Sequence, residues 1–416
     1  MQPAQIGINV VGHVRSASGL GVSARNFIRA LRERGVPVAV LDVDYGLTRG
    51  PVELPSDVTV VDSVEALPHA INLVCVAIQL LPKLLLKQHP ELLHARFFNV
   101  GLVFWELPSL PRVWGQALRL FDALATCSSF VRRTLEAALP NVPTVHCEQP
   151  LYLPAVAPAD RAALRLDASA FVFGASFDLG GDVTRKNPAA IVRAFQAAFP
   201  DDGRVQLVLK ANGDLTRVSH PDVDYIAGVL AHDPRIRLVA ETLPYERVIA
   251  LHAACDAYVS LHRAEGLGLG LLEAMALGLA TIGTGYSGNT HFMTPMNSWS
   301  VRYRLVSTAN CAWQYSRAYS GAGAYWAHPD ETHAAAIFRE VVDNPAARDA
   351  RIAVGVRDAR ERQQAARRVD FVDELALLST ASRRQPATSR RRTRRLLVAE
   401  LFHPVHMRLH LRRLFQ

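Results

Sequence analysis

His262–Asn289 reads HRAEGLGLGLLEAMALGLATIGTGYSGN, and its parts differ in physical character. The apolar run AYVSLH ahead of Glu265 suits a buried strand. Gly266–Gly270 is a glycine-rich turn. LGLLEAMALG then has the composition of a helix, with Gly278 placed to end it. A strand, a tight turn and a helix start leave backbone N–H groups and the positive end of a helix dipole facing outward, which suits a diphosphate. Gly268 and Gly270 let an anion approach the backbone amides, that of Leu269 included. Glu265 and Glu273 lie eight positions apart at either end of this turn. Two carboxylates would repel bare phosphate, but they suit a ligand with hydroxyls on both sides of its phosphates, as in a sugar nucleotide. An ordinary βα turn with two solvated glutamates would share these local features.

Outward from this stretch, strand-like and helix-like segments alternate. Ile6–Gly12, Val36–Val43, Ile71–Ile78, Phe97–Leu107 and Ala123–Ser128 read as strands; Val22–Gly35 and Ser129–Leu139 read as helices. The Pro-rich QPLYLPAVAPAD (Gln149–Asp160) reads as a linker. The pattern then restarts, with strands at Phe171–Asp178, Val205–Asn212, Ile236–Glu241, Ala257–His262 and Ala280–Gly285. Alternation of this kind predicts an α/β fold with two Rossmann-like, doubly wound parallel sheets facing across a cleft. The expected boundaries are 1–155 (acceptor domain), 156–345 (donor domain), 346–380 (C-terminal helical segment) and 381–416 (basic tail).

The chain has 416 residues, 50% hydrophobic and 20% charged, enough for two sizeable cores rather than a disordered chain. The net charge of +8 concentrates in SRRQPATSRRRTRR (Ser382–Arg395) and the Arg- and His-rich end that follows. Arg390–Arg395 and Arg412–Phe415 predict either a solvated end or a peripheral contact with anionic lipid; nucleic acid is not an expected partner, because no binding module accompanies the tail. Cys75, Cys127, Cys147, Cys255 and Cys311 are scattered without metal spacing and read as buried small side chains. No secretory leader and no apolar run long enough to span a bilayer is evident, so a cytoplasmic protein, peripheral at most to the inner membrane face, is expected.

Three more stretches carry chemistry. In FDLGGDVTRKNPAAIVRAF (Phe177–Phe195), Arg185 and Lys186 precede a proline that can open a helix; such cations can pair with a diphosphate and stabilise charge on a leaving group. Lys210, near the end of its strand, is a further candidate cation. In GHVRSASGLGVSARNFIRAL (Gly12–Leu31), Gly19, Gly21 and Ala24 fit a dinucleotide fingerprint with Asp42 or Asp44 as ribose acid, which keeps an NAD(P)-dependent oxidoreductase open as an alternative. Against it, several residues separate the strand from Gly19. In VGLVFWELPSLP (Val100–Pro111), Trp105 and Glu106 are placed near a strand end, and Thr126, Ser128 and Ser129 form a second polar strand end. The Asp-x-Asp pairs at 42–44 and 222–224 read as loop acids rather than a metal site. His13, at the mouth of the first strand, His146 and His291 are isolated.

The string HRAEG…LLEAMALG…GYSGN resembles the E-x7-E signature of family 4 retaining glycosyltransferases, which have the GT-B architecture, and in particular their bacterial polysaccharide and O-antigen mannosyltransferase-like branch. The resemblance extends over roughly residues 5–350. It implies transfer of a hexosyl unit from a nucleoside-diphosphate sugar, with a lean to GDP-mannose or a related GDP-sugar. The acceptor would be a glycan or polyprenyl-linked glycan hydroxyl, with no metal or other cofactor. By resemblance Glu265 meets sugar hydroxyls and Glu273 the ribose. Lys186 matches the family's diphosphate lysine, although here its arginine partner is adjacent. Gly19 and Gly21 fall in the loop that faces the donor, and Glu106 faces the reacting sugar. His291 stands where the branch has Asp. A non-catalytic sugar-nucleotide-binding relic would keep the same motifs.

Overall fold

The computed structural model describes residues 6–43, 52, 54–179, 181–308, 324–382 and 395–398. Asp44, Cys311 and nearly all of the basic tail therefore lie outside the described residues. The chain divides into two compact units: 1–151, 313–324 and 363–416 form the first, and 152–312 and 325–362 the second.

In the first unit, short apolar runs form seven parallel strands: β1 (Ile8–Gly12), β2 (Val38–Asp42), β3 (Thr59–Val61), β4 (Ile71–Cys75), β5 (Phe98–Leu102), β6 (Ala123–Thr126) and β7 (Thr144–His146). Their order is β3-β2-β1-β4-β5-β6-β7. The central strands are buried along their whole length, as expected for a parallel sheet covered on both faces. Asn9, Asn72 and Asn99 stand in register on β1, β4 and β5. Asn9 donates to Asn72 at 2.7 Å and Asn72 to Asn99 at 2.8 Å. A one-residue slip would strand these buried amides without partners, so the ladder fixes strand register. Helices α1 (Gly19–Glu33), α2 (Arg112–Leu118) and α3 (Ser129–Ala138) connect the strands.

The second unit repeats the design with β8 (Phe171–Asp178), β9 (Val205–Asn212), β10 (Ile236–Ala240), β11 (Ala257–Ser260), β12 (Ala280–Thr284) and β13 (Trp299–Val301). The order is β10-β9-β8-β11-β12-β13, all parallel. Chain direction across the sheet reverses between β8 and β11, so this is the topological switch point, where α/β sheets hold ligands beyond the strands' carboxyl ends. The connecting helices are α4 (Val183–Lys186), α5 (Pro188–Ala198), α6 (Pro221–Leu230), α7 (Tyr245–Ala253) and α8 (Leu269–Leu277). Phe173, Phe195, Phe199 and Phe338 cluster in the core, Phe173 and Phe338 with centroids 4.9 Å apart. An antiparallel pair, β14 (Tyr303–Ser307) and β15 (Tyr325–Pro329), precedes α9 (Glu331–Asp343).

The C-terminal helical segment expected over 346–380 consists of two helices, α10 (Pro345–Arg367) and α11 (Phe371–Ser382). Val369, with φ 43°, breaks the run, and nothing in its sequence neighbourhood signals a left-handed residue. The chain passes from the second unit to the first within α10. Among the described residues no helix is long and apolar enough to cross a membrane. Cys75, Cys127, Cys147 and Cys255 are buried free thiols.

Candidate active site

Three loops leave the carboxyl ends of the neighbouring strands β8, β11 and β12. The first carries Arg185 and Lys186, the second Glu265 and Gly268, the third Ser287. Asp182 opens the first loop's short helix by accepting from the Arg185 N–H at 3.1 Å. Asn187, in the left-handed region at φ 54°, then turns the chain into α5, which starts on Pro188.

The first two loops are stitched together across the switch point. The Arg263 N–H donates to the Arg185 carbonyl at 2.7 Å, and Asn187 Nδ2 donates to the Leu261 carbonyl at 2.9 Å. Arg185 is buried, and its Nη1 donates to the Ala264 carbonyl at 2.8 Å while lying 3.4 Å from Glu265 Oε1. Lys186 Nζ donates to the same carboxylate oxygen. Burial alone would push the Glu265 carboxyl up. Lys186 and then Arg185 outweigh it and hold the group at about 2. Arg185, expected to meet the diphosphate, faces the Ala264 carbonyl and Glu265 in this structure. Lys186, about a quarter exposed, is the cation with a face toward solvent.

Glu273 has a different setting. It lies in the second turn of α8, is 5% exposed, and accepts from the Tyr245 hydroxyl at 2.8 Å. Burial raises its carboxyl to about 7, with Tyr245 pulling the other way. The two glutamates therefore do not add two full negative charges beside an anion site: one is compensated by two cations, the other is half protonated near neutrality.

No side chain caps the N-terminus of α8. Its cap, Gly268, has φ 87°, a conformation that favours glycine, and a Cβ there would meet Asn289 Cβ at 3.2 Å. Leu269 and Gly270 are both partly exposed. A Cβ at Gly270 would lie 2.6 Å from the Tyr258 hydroxyl, so packing also calls for glycine there. Lys210 is buried and donates to the Ala211 carbonyl at 3.2 Å and to Asn212 Oδ1. Burial lowers its ammonium to about 8. Both of these hydrogen bonds stay within its own strand end and do not reach the Glu265 cluster.

The first unit's candidates are arranged otherwise. Ser18 accepts from the Gly21 N–H at 3.3 Å and caps α1. A Cβ at Gly21 would strike the Ser16 carbonyl at 2.3 Å, whereas Gly19 has open space. Arg25 Nη1 pins the loop through the carbonyls of Val14 and Ser16 at 2.7 and 2.9 Å. Six residues separate β1 from α1, and Asp42 accepts from the Arg15 backbone at 3.2 Å. This is not the immediate strand-to-helix turn that a dinucleotide fingerprint requires.

Trp105 is fully buried, bonded to the Ser109 carbonyl at 2.8 Å and edge-on to Trp114, so it is core. Glu106, half-buried, follows it. Thr126 ends β6. Ser128 caps α3 by accepting from the Val131 N–H at 3.3 Å, and Ser129 begins that helix. Asp222 and Asp224, expected as loop acids, sit in the first turn of α6, where the helix dipole favours them. His13 is buried with Nδ1 2.9 Å from the Val43 carbonyl. His146 faces Glu148 at 3.4 Å, and the His291 carbonyl accepts from Arg362 at 2.8 Å. Sequence reasoning missed Tyr245 and Ser287, whose roles arise only where separate loops meet.

Residues 238–298, which contain both glutamates and the α8 turn, match the family described as glycosyl transferases group 1. No protein of curated function matches the sequence. Among solved structures, the chain is similar to α,α-trehalose 6-phosphate synthase from Burkholderia multivorans (TM-score 0.61, 13% identity, covering 91% of this chain and 98% of that one). It is likewise similar to sucrose-phosphate synthase from Thermosynechococcus elongatus (0.58, 15%, 91% and 98%) and to Anabaena HepE in complex with UDP and glucose (0.58, 14%, 91% and 100%). At these identities the likeness is one of fold, two parallel-sheet units of GT-B type with a long C-terminal helix. The fold is of GT-B type, and the segment that matches the glycosyl transferases group 1 family is the one that carries Glu265, Glu273 and the start of α8.

Proposed function

We propose that this enzyme transfers a hexosyl unit from a GDP-sugar, GDP-mannose or a close relative, to a hydroxyl of a glycan or polyprenyl-linked glycan in bacterial surface polysaccharide synthesis. The observation that carries the donor site is the Lys186–Glu265–Arg185 cluster at the β8/β11 switch point, beside the uncapped start of α8. Lys186 and the amides of Gly268, Leu269 and Gly270 receive the diphosphate and stabilise the charge that develops as it leaves. Glu265 accepts from sugar hydroxyls and Glu273 from the ribose. By resemblance Gly19, Gly21 and Glu106 of the first unit are assigned to donor and acceptor contacts, and Lys210 is a further candidate cation of the second unit. The acceptor hydroxyl attacks on the face from which the diphosphate departs, and a leaving phosphate oxygen takes its proton, so the anomeric configuration is kept. Positioning and charge carry the rate.

The GDP preference and the polysaccharide pathway rest on the branch resemblance of the 262–289 string. The basic tail supplies a peripheral contact with anionic lipid at the cytoplasmic membrane face, which fits a lipid-linked acceptor. A panel of GDP-, UDP- and ADP-sugars, read by released nucleoside diphosphate and by product anomer, tests the donor. Turnover confined to UDP-sugars would overturn the GDP assignment. The cationic cluster supplies the diphosphate's counter-charge, so EDTA is expected to leave the rate unchanged; abolished turnover restored by a divalent ion would overturn the metal-free mechanism.

A further inference from the structure

Ser287 adopts φ 75° and ψ −143°, a conformation that side-chain-bearing residues rarely hold and that costs free energy unless the surroundings enforce it. It is 3% exposed. Its Oγ accepts the Glu265 N–H at 2.7 Å. The next residue, Gly288, donates its N–H to the Glu265 carbonyl at 2.8 Å. Glu265 is thus held by both of its own backbone polar groups from two consecutive residues of the third loop.

The loop that does this is itself locked. A Cβ at Gly288 would lie 2.2 Å from the Gly266 carbonyl, so only glycine permits the two loops to come this close. Thr290 Oγ1 donates to the Ser287 carbonyl at 2.7 Å. Asn289 Nδ2 donates to the Thr284 carbonyl at 2.8 Å, and Asn289 Oδ1 lies 3.0 Å from buried His262 Nε2. Glycine at 287 would make the same turn without strain. What serine adds is a hydroxyl, which accepts from the Glu265 N–H while donating to the Tyr286 carbonyl.

We infer that Ser287 is a positioning residue for Glu265: its strained backbone is retained because its side chain fixes the peptide from which that carboxylate springs, in register with Lys186 and the start of α8. This rests on the assignment of Glu265 as a donor contact. The carboxylate's cation partners set its charge, but they hang on flexible side chains, whereas Ser287 and Gly288 hold the backbone. Misplacement by about 1 Å can cost on the order of a hundredfold in rate, so a backbone hold of this kind is the economical one.

The experiment pairs Ser287→Gly with Ser287→Ala in the full chain, using the sugar nucleotide that the donor panel selects. Ser287→Gly removes the hydroxyl and the strain together. Its melting temperature is expected within about 2 °C of the native value or above it, while kcat falls at least about tenfold. Ser287→Ala keeps the strain and loses the hydroxyl, so both melting temperature and kcat fall. Placed on Glu265→Gln, Ser287→Gly is expected to add no further loss, since it acts through the same group. Native kcat in Ser287→Gly beside a crippled Glu265→Gln overturns the positioning role alone, as does a loss that adds in full to that of Glu265→Gln. Native turnover by Glu265→Gln itself sinks the Glu265 assignment and this inference with it.

Discussion

Both units run from a strand through a glycine-rich loop into a helix beside their sheet's switch point, yet the two loops are built for different ends. In the first unit, Ser18 closes the start of α1, Arg25 pins the loop carbonyls, and Gly21 is glycine because the Ser16 carbonyl leaves no room for a Cβ. In the second, the start of α8 has no side-chain cap, Gly268 takes a left-handed turn, and a compensated carboxylate with two cations stands alongside. The same spelling, Gly-x-Gly, serves packing in one place and an open helix start in the other. A glycine pattern therefore says little until it is known which backbone amides remain without a side-chain partner and which charges face them.

The largest effect should come from removing the feature that separates the loops. Lys186→Ala leaves Glu265 with buried Arg185 and takes away the cation that faces solvent. We expect turnover to fall by about 10² to 10³, with circular dichroism and gel-filtration behaviour unchanged. Glu273→Ala should cut kcat/KM by more than about tenfold, chiefly through donor KM, since it removes hydroxyl contacts rather than charge stabilisation. Near-native kcat/KM in both variants would place the donor elsewhere.

The second loop can next be split along its own length by pH. Glu265 is held below its ordinary 4.5, at about 2, so its contribution to stability is full above 4.5 and fades as pH falls toward 2. Glu273 is raised from 4.5 to about 7, so its contribution has the opposite sign: it is full below 4.5 and lost as pH rises through about 7. Glu273→Gln should accordingly gain stability over the native chain above neutrality, by about 1–2 kcal/mol at pH 8, and none near pH 5. In the native enzyme, donor KM should rise as pH drops below about 7, because a protonated carboxyl accepts fewer hydrogen bonds. Tyr245→Phe removes the hydrogen bond that lowers Glu273 and should move that limb toward alkaline pH. A flat KM profile from pH 5.5 to 8.5 would show that Glu273 does not meet the donor as a carboxylate.

Much of this arrangement is legible in the sequence because it is local. Glu265, Gly268 and Glu273 lie within one strand–turn–helix, and their spacing alone puts them around a helix start. The long apolar strands announce two parallel sheets for the same reason. What the sequence hides is apposition. Arg185 and Glu265 are 79 positions from their partners in each other's loop, and only the β8/β11 adjacency shows that Arg185 spends itself on a carbonyl and a carboxylate. Ser287 looks like any turn serine until its φ is known. Tyr245 reads as an ordinary helix start, and its bond to Glu273 requires α7 to lie beside α8. Gly270 looks like a gap left for a ligand, but the Tyr258 hydroxyl also calls for glycine there.

That last point supplies a smaller perturbation. Gly270→Ala forces a methyl against Tyr258, and overpacking of a buried site costs about 1–3 kcal/mol, partly offset by alanine's better helix propensity. The melting temperature and turnover should both fall modestly, and Tyr258→Phe in the same chain should restore both by clearing the 2.6 Å contact. Restored stability with turnover still depressed would instead give Gly270 the ligand-approach role.

The smallest structural effect is expected at Gly19, and for that reason it bears most directly on the first loop. A Cβ there meets nothing within 4 Å, and Gly19 is not among the glycines with positive φ. Alanine at the first position of α1 should be neutral to slightly stabilising, so Gly19→Ala is free of the folding cost that makes Gly21→Ala uninformative. If the first loop serves only packing, turnover and donor KM will match the native enzyme. If the loop also meets donor or acceptor, the added methyl enters open space that the ligand needs, and KM for that ligand will rise while the melting temperature holds. Titrating donor and acceptor separately in this one variant therefore decides whether the difference between the two loops is complete or only one of degree.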